Sequence, residues 1–238
     1  MLKKKNVTRL FLGSLLAITF VYGLAVGTYK IFPFHEIKMV KDLVTGRSEQ
    51  NKLNYPYYLH KTSFFKLHSQ SDYDVVFIGD SITDGSDWYD IFPNLKVANR
   101  GIGSDTTAGV LNRMDTIINT GAGKAFLMIG INDIGQGVDV NTIFNNYKKI
   151  INELKNNNIE PFVQSTLLTN VFRIDNKYVN ELNTKLMRFC NDNDIVFIDL
   201  NPLLSISGKL NKDYSFDGVH LDGKAYGIWS KAIEDYVY

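Results

Sequence analysis

A single cysteine, Cys190, stands in the whole of this 238-residue chain. One thiol excludes an intrachain disulfide and any metal site built on several cysteines. In "LMRFCND" it sits among apolar residues, which reads as a small core side chain and not as a reactive thiol. Excess charge is also lacking: 26 Lys and Arg against 25 Asp and Glu leave a formal net charge of +1. Such a balance gives no electrostatic reason for a nucleic-acid partner, and none is expected. Histidine is scarce, with 4 in all, and His35, His60 and His68 precede the regular part of the chain. No cluster of His, Cys and carboxylates has ligand spacing, so no metal is expected. The chain carries no internal repeat and no low-complexity stretch.

One long hydrophobic run is present. Leu10 to Tyr29, "LFLGSLLAITFVYGLAVGTY", has no charged residue and follows the basic "MLKKKNVTR". Twenty residues of helix cover ~30 Å, the thickness of a bilayer's hydrocarbon core. The expectation is a transmembrane signal anchor over residues 1–29. Ala25-Val26-Gly27 resembles a small-residue cleavage site, so removal of the segment is the alternative. Lys3, Lys4, Lys5 and Arg9 ahead of the run favour a cytoplasmic N-terminus, which would place the rest outside the cytoplasm. Residues 30–71, with the aromatic "NYPYYLHKTSFFKL", show no clean periodicity and read as a juxtamembrane connection that packs partly on the domain.

From Asp72 to Tyr238 the pattern becomes regular. "DVVFIG", "LKVANRG", "AFLMIG", "EPFVQST" and "DIVFIDL" read as strands. Between them lie helical stretches such as "TTAGVLNRMDTIIN" and "VNTIFNNYKKIINELKNN", and "GKAYGIWSKAIEDYVY" closes the chain. Apolar strands alternating with helices indicate an α/β domain, a mainly parallel sheet covered on both faces. Sites in such sheets form beyond the carboxyl ends of the strands. Ser81, Gly101 to Asp105, Asn132 and Asp133 all follow a predicted strand directly.

Each stretch taken alone has a plain structural reading. Ser81 in "GDSIT" fits a helix N-cap or a turn, and it lacks the second glycine of the G-x-S-x-G elbow. "DGVH" fits a surface turn. Yet His220 is the only histidine within the regular region, three residues after Asp217. An aspartate that near can fix the imidazole tautomer and stabilise imidazolium. "NRGIGSDTT" offers backbone N–H groups, and "GIND" offers the Asn132 amide, as donors to a developing oxyanion. Neither "GIGSDTTAG" nor "NTGAGKA" has the spacing of a dinucleotide or phosphate loop, so no cofactor is expected.

Together, "GDSIT", "NRGIGSDTT", "GIND" and "DGVH", in that order, resemble the four blocks of the SGNH (GDSL-like) hydrolases. The resemblance covers about Asp72 to Tyr238. It implies a three-layer α/β/α fold of flavodoxin-like kind and metal-independent hydrolysis of acyl esters. It further implies Ser81 as nucleophile, His220 as base and Asp217 as its orienting acid. The backbone N–H groups of Ser81 and Ser104 and the Asn132 amide would form the oxyanion hole. Many members have glycine where this chain has Ser104, which leaves Ser104 or Gly103 as the second-block donor. Asp80 and Asp133 read as hydrogen-bond acceptors that shape the site. Family activities range over lipid esterases, thioesterases, carbohydrate acetylesterases and O-acetyltransferases. The expected partner is an acyl-ester substrate on an envelope glycan or lipid, acetyl being favoured over a long chain. An O-acetyltransferase is the rival enzyme, and a non-catalytic binding module the rival outside catalysis.

Overall fold

The computed structural model describes residues 2–29, 33, 55–68 and 72–238. The chain divides into two compact units, Met1–Asn54 and Tyr55–Tyr238. In the first, helix α1 covers Leu2–Tyr29. Its described side chains from Leu12 to Thr28 are exposed apart from Ala25 and Val26. Among the described residues no helix is long and apolar enough to cross a membrane. The expected helix is therefore present, whereas the expected transmembrane span is not shown.

The second unit begins at Tyr55 and not at Asp72. Much of the stretch read as a connection, 30–32, 34–54 and 69–71, lies outside the described residues. Pro56–His68, however, forms helix α2. Its buried Tyr58 and Phe65 stand two turns apart, one anchor at each end of a single face. The Tyr58 hydroxyl donates to the Gly109 carbonyl at 2.9 Å. The Arg100 guanidinium lies 4.5 Å from the centre of the Phe65 ring.

Five strands form the central sheet: β1 (Val75–Gly79), β2 (Val97–Gly101), β3 (Lys124–Met128), β4 (Glu160–Gln164) and β5 (Val196–Ile198). They are ordered β2-β1-β3-β4-β5, and every pairing is parallel. This is the flavodoxin-like order, whose reversal between β1 and β3 opens a crevice at the strands' carboxyl ends. All five residues of β1 are buried, as a strand covered on both faces requires.

Short helices α3 (Ser81–Asp84) and α4 (Trp88–Ile91) follow β1, and α5 (Thr107–Asn112) follows β2. Helix α6 (Ile131–Gly135) follows β3. The long helices α7 (Val140–Asn156), α8 (Asn176–Asp192) and α9 (Gly223–Val237) each bury one stripe. In α7 the stripe is Val140, Ile143, Tyr147, Ile150, Ile151 and Leu154, at helical spacing. Cys190 is buried on α8, where burial pushes its thiol up to about 12. A proton held that tightly suits a small core side chain and not a nucleophile.

On one face of the sheet the aromatic residues stack. The Phe77 and Trp88 rings are parallel at 4.0 Å, and Trp229 meets Trp88 edge-on at 4.8 Å. The Trp229 indole N–H is satisfied by Gln164 Oε1 at 2.5 Å. Trp88→Ala should therefore destabilise the chain by about 3–5 kcal/mol through the cavity it leaves. Urea unfolding followed by circular dichroism measures this, and a loss below about 1 kcal/mol would show that the stack contributes little.

Candidate active site

The site is built where β1 ends. A Cβ on Gly79 would stand 2.1 Å from Thr83 Oγ1 and 2.4 Å from the Met128 carbonyl oxygen. Only glycine lets the chain fold back so closely over β3. Asp80 then caps α3, its Oδ1 accepting the Ile82 N–H at 3.0 Å. Ser81 is the first residue of that helix, half-buried.

Ser81 Oγ lies 2.8 Å from His220 Nε2, and His220 Nδ1 lies 2.5 Å from Asp217 Oδ2. The structure thus joins three residues that the sequence spreads over almost 140 positions. Asp217 is further held by its own loop. Its Oδ1 accepts the N–H groups of Val219 and His220 at 2.9 and 2.8 Å. Gly218, at φ +79°, passes so close to the Asn170 carbonyl that a Cβ there would stand 2.8 Å away. The Asn170 N–H donates to the Gly218 carbonyl at 2.7 Å, which ties this loop to the segment after β4. Burial acts to raise the Asp217 carboxyl, but hydrogen bonds from the His220 ring and from the His220 and Val219 N–H groups outweigh it. The net result holds Asp217 below the usual carboxylate range, so it stays ionised beside the imidazole. The His220 and Asp217 side chains are 48% and 55% exposed, so this pair faces an open surface.

The donor side is formed by the loop after β2. The Ile102 N–H donates to the Gly79 carbonyl at 3.1 Å, and a turn closes from the Asp105 N–H to the Ile102 carbonyl at 3.1 Å. Ser104 sits in that turn at φ +62°, the left-handed region that favours glycine. A Cβ on the preceding Gly103 would lie 4.0 Å from Ser81 Cβ, so the loop runs directly past Ser81. Among the described residues no acceptor takes the N–H of Ser81 or of Ser104. Asn132 uses one amide proton on the Asp105 carbonyl, at 2.9 Å, which leaves the other available.

Three buried carboxylates lie beneath these loops. Asp105 pairs with Arg113 at 2.8 Å, both side chains only 1% exposed. Arg113 also donates to the carbonyls of Arg100 and Gly79, at 2.8 and 3.3 Å. Asp133 accepts from the Thr107 hydroxyl at 2.6 Å and the Thr107 N–H at 3.0 Å, joining α6 to α5. Burial raises Asp105 against the pull of Arg113 and lifts Asp133 to about 6. Asp80 is pushed up to about 7 by burial, with the charges of Asp105 and Asp133 adding to it. Among the described residues, no group of three or more His, Cys, Asp or Glu side chains could hold a metal ion.

Sequence reasoning missed Arg113 and the contribution of α2. Arg113 falls among Val110, Met114 and Ile117 on the buried side of its segment, and a lone cation there was its only signal. Tyr57 and Lys61 of α2 bond to Asp84 of the nucleophile helix, a contact that no local pattern announces.

Residues 77–228 match the GDSL-like Lipase/Acylhydrolase family. The chain belongs to that family. Its fold is parallel α/β, and the family is one of acylhydrolases. Among solved structures, a GDSL-like lipase from Bacteroides thetaiotaomicron VPI-5482 is 24% identical, with a TM-score of 0.67. The match covers 77% of this chain and 97% of that one. Axe2, an acetylxylan esterase from Geobacillus stearothermophilus, shares the fold at 16% identity and a TM-score of 0.58, covering 70% of this hydrolase and 94% of Axe2. A curated relative, the N-acylneuraminate cytidylyltransferase of Streptococcus agalactiae serotype V (strain ATCC BAA-611 / 2603 V/R), is 29% identical over 182 residues. That match takes in 75% of this chain and 41% of the relative, so the hydrolase spans about two fifths of the protein it matches.

The buried carboxylates give the hydrolase a defined pH signature. Asp80 has an ordinary value of 3.8 and a folded value of about 7, so the folded state binds its proton more tightly than the unfolded state. The resulting stabilisation is full below about 3.8 and is lost as pH rises to about 7. Asp217, depressed, acts in the opposite sense and loses its contribution as pH falls below the ordinary carboxylate range. Asp80→Asn keeps an acceptor for the Ile82 N–H and cannot ionise. It should be more stable than wild type at pH 8, with the advantage shrinking by pH 4. Melting temperatures across that range check this, and an advantage independent of pH would refute it.

Proposed function

We propose that this hydrolase removes an acetyl group from a cell-envelope glycan by metal-independent Ser-His-Asp chemistry. The observation that carries the reading is the unbroken chain from Ser81 Oγ to His220 to Asp217, at 2.8 and 2.5 Å. A serine hydroxyl needs such a base to become a nucleophile. His220 takes the Ser81 proton as Oγ attacks the ester carbonyl, and ionised Asp217 stabilises the imidazolium that forms. The oxyanion receives the N–H groups of Ser81 and Ser104 and the remaining amide proton of Asn132. His220 then returns the proton to the leaving alcohol, and water, activated by the same base, releases the acid and free Ser81.

Two likenesses support an acetylated sugar as substrate. Axe2 is an acetylxylan esterase of the same fold. The curated relative's name couples a stretch similar to this chain with an N-acylneuraminate, a sugar acid. The half-exposed base supports a bulky, polar leaving group over a buried one.

Ser81→Ala should lower kcat for an aryl acetate by on the order of 10⁶ with the fold intact. Asn132→Ala should lower it by roughly 10²–10³ and change KM much less, because the charge it meets develops in the transition state. Residual activity of Ser81→Ala within tenfold of wild type would overturn the nucleophile. Acetyl transfer to added polysaccharide faster than to water would instead mark a transferase.

The envelope location rests on the uncharged Leu10–Tyr29 run, which we read as a membrane anchor with the catalytic unit outside the cytoplasm. Full-length protein should stay with membranes through alkaline extraction. Recovery of a soluble mature chain starting near Thr28 would make the run a cleaved signal peptide.

A further inference from the structure

Helix α2 precedes residues 77–228, the stretch that matches the family, yet it bonds to the helix that Ser81 begins. The missing side chain of Gly103 reports the contact. A Cβ built there would stand 3.3 Å from Tyr57 Cε1 and 4.0 Å from Ser81 Cβ. The Tyr57 ring edge and the nucleophile therefore face each other across the space that this glycine leaves open.

The ring is fixed in that position. The Tyr57 hydroxyl donates to Asp84 Oδ2 at 2.5 Å, and Lys61 Nζ donates to the other oxygen, Oδ1, at 2.6 Å. Asp84 is the last residue of α3, the short helix that Ser81 begins. Tyr57 is thus tied to the same rigid element as the nucleophile, with Tyr58 and Phe65 buried on the same helix. The bond to Asp84, with burial adding to it, pushes the phenol up to about 12, so it remains a protonated donor. Tyr57 is still 44% exposed, so part of its surface is not used in packing.

The reaction assigns the directions around Ser81. The leaving alcohol must lie on the His220 side, because His220 gives it a proton. The developing oxyanion is taken by the donors at Ser81, Ser104 and Asn132. The remaining substituent on the reacting carbon is the acyl chain, which is left with the side of Gly103 and Tyr57. We propose that Tyr57 is the specificity-determining wall of the acyl pocket, leaving room for acetyl and excluding longer chains. The proposal rests on Ser81 being the nucleophile.

The experiment compares 4-nitrophenyl acetate, butyrate and hexanoate on wild type, Tyr57→Ala, Tyr57→Phe and Ser81→Ala. Wild type should prefer acetate. Tyr57→Ala should raise the hexanoate-to-acetate ratio of kcat/KM by roughly tenfold or more, the discrimination that one or two methylenes carry in a shaped pocket. Tyr57→Phe keeps the ring and loses only the bond to Asp84, so its ratio should stay within about threefold of wild type. Tyr57→Leu, which keeps an apolar side chain on the helix, gives the same readout where Tyr57→Ala does not fold. An unchanged ratio in a folded Tyr57→Ala or Tyr57→Leu variant overturns the wall, as does a wild type that cleaves hexanoate as readily as acetate. If Ser81→Ala and wild type cleave all three esters alike, the nucleophile assignment fails and the proposal falls with it.

Discussion

Arg113 holds the working edge of the sheet together. Its guanidinium reaches the carboxylate of Asp105 and the carbonyls of Gly79 and Arg100. It thereby joins the ends of β1 and β2 to the loop that runs past the nucleophile. Burying a charged pair costs solvation, and the pair returns it only through good geometry and further hydrogen bonds. Here the additional acceptors are two backbone carbonyls near the strands' carboxyl ends. Without the cation, Asp105 would be a buried carboxylate near two others, Asp80 and Asp133.

Beyond that edge, precision comes from glycine and from aspartate. Gly79 permits a turn that any side chain would block, and Gly218 does the same for the loop of the base. Aspartates convert those turns into fixed geometry by accepting local N–H groups, as Asp80 does from Ile82 and Asp217 does from Val219 and His220. Three of the four carboxylates in this frame are almost wholly buried, and the fourth is the one that meets the histidine. Their burial follows what each must do, since the buried three shape the loops while Asp217 must stay charged.

The parallel sheet was legible because each strand is a continuous apolar run and each long helix buries a regular stripe. Ser81, His220 and Asp217 were legible because chemistry narrows the choices: only one histidine lies within the regular region. Tyr57 was not legible. Its helix has only two buried residues and an otherwise mixed surface, so its period is faint and its aromatic residues suggested a membrane neighbour. Arg113 was hidden for the opposite reason, since its segment reads as an ordinary amphipathic helix. The left-handed turn at Ser104 defied the usual preference, because serine stands where the backbone favours glycine. The run from Leu10 to Tyr29 lies within helix α1, but among the described residues no helix is both long and apolar enough to cross a membrane.

The place of α2 in the chain has a consequence for inheritance. Ser81, Ser104, Asn132, Asp217 and His220 all lie after Asp72, whereas Tyr57 and Lys61 lie ahead of them and bond to one carboxylate, Asp84. A recombination point between residues 68 and 75 would exchange the helix and leave the reaction's own residues untouched. Selection could then retune which esters are accepted by trading a short leading segment, with Asp84 as the socket it has to fit.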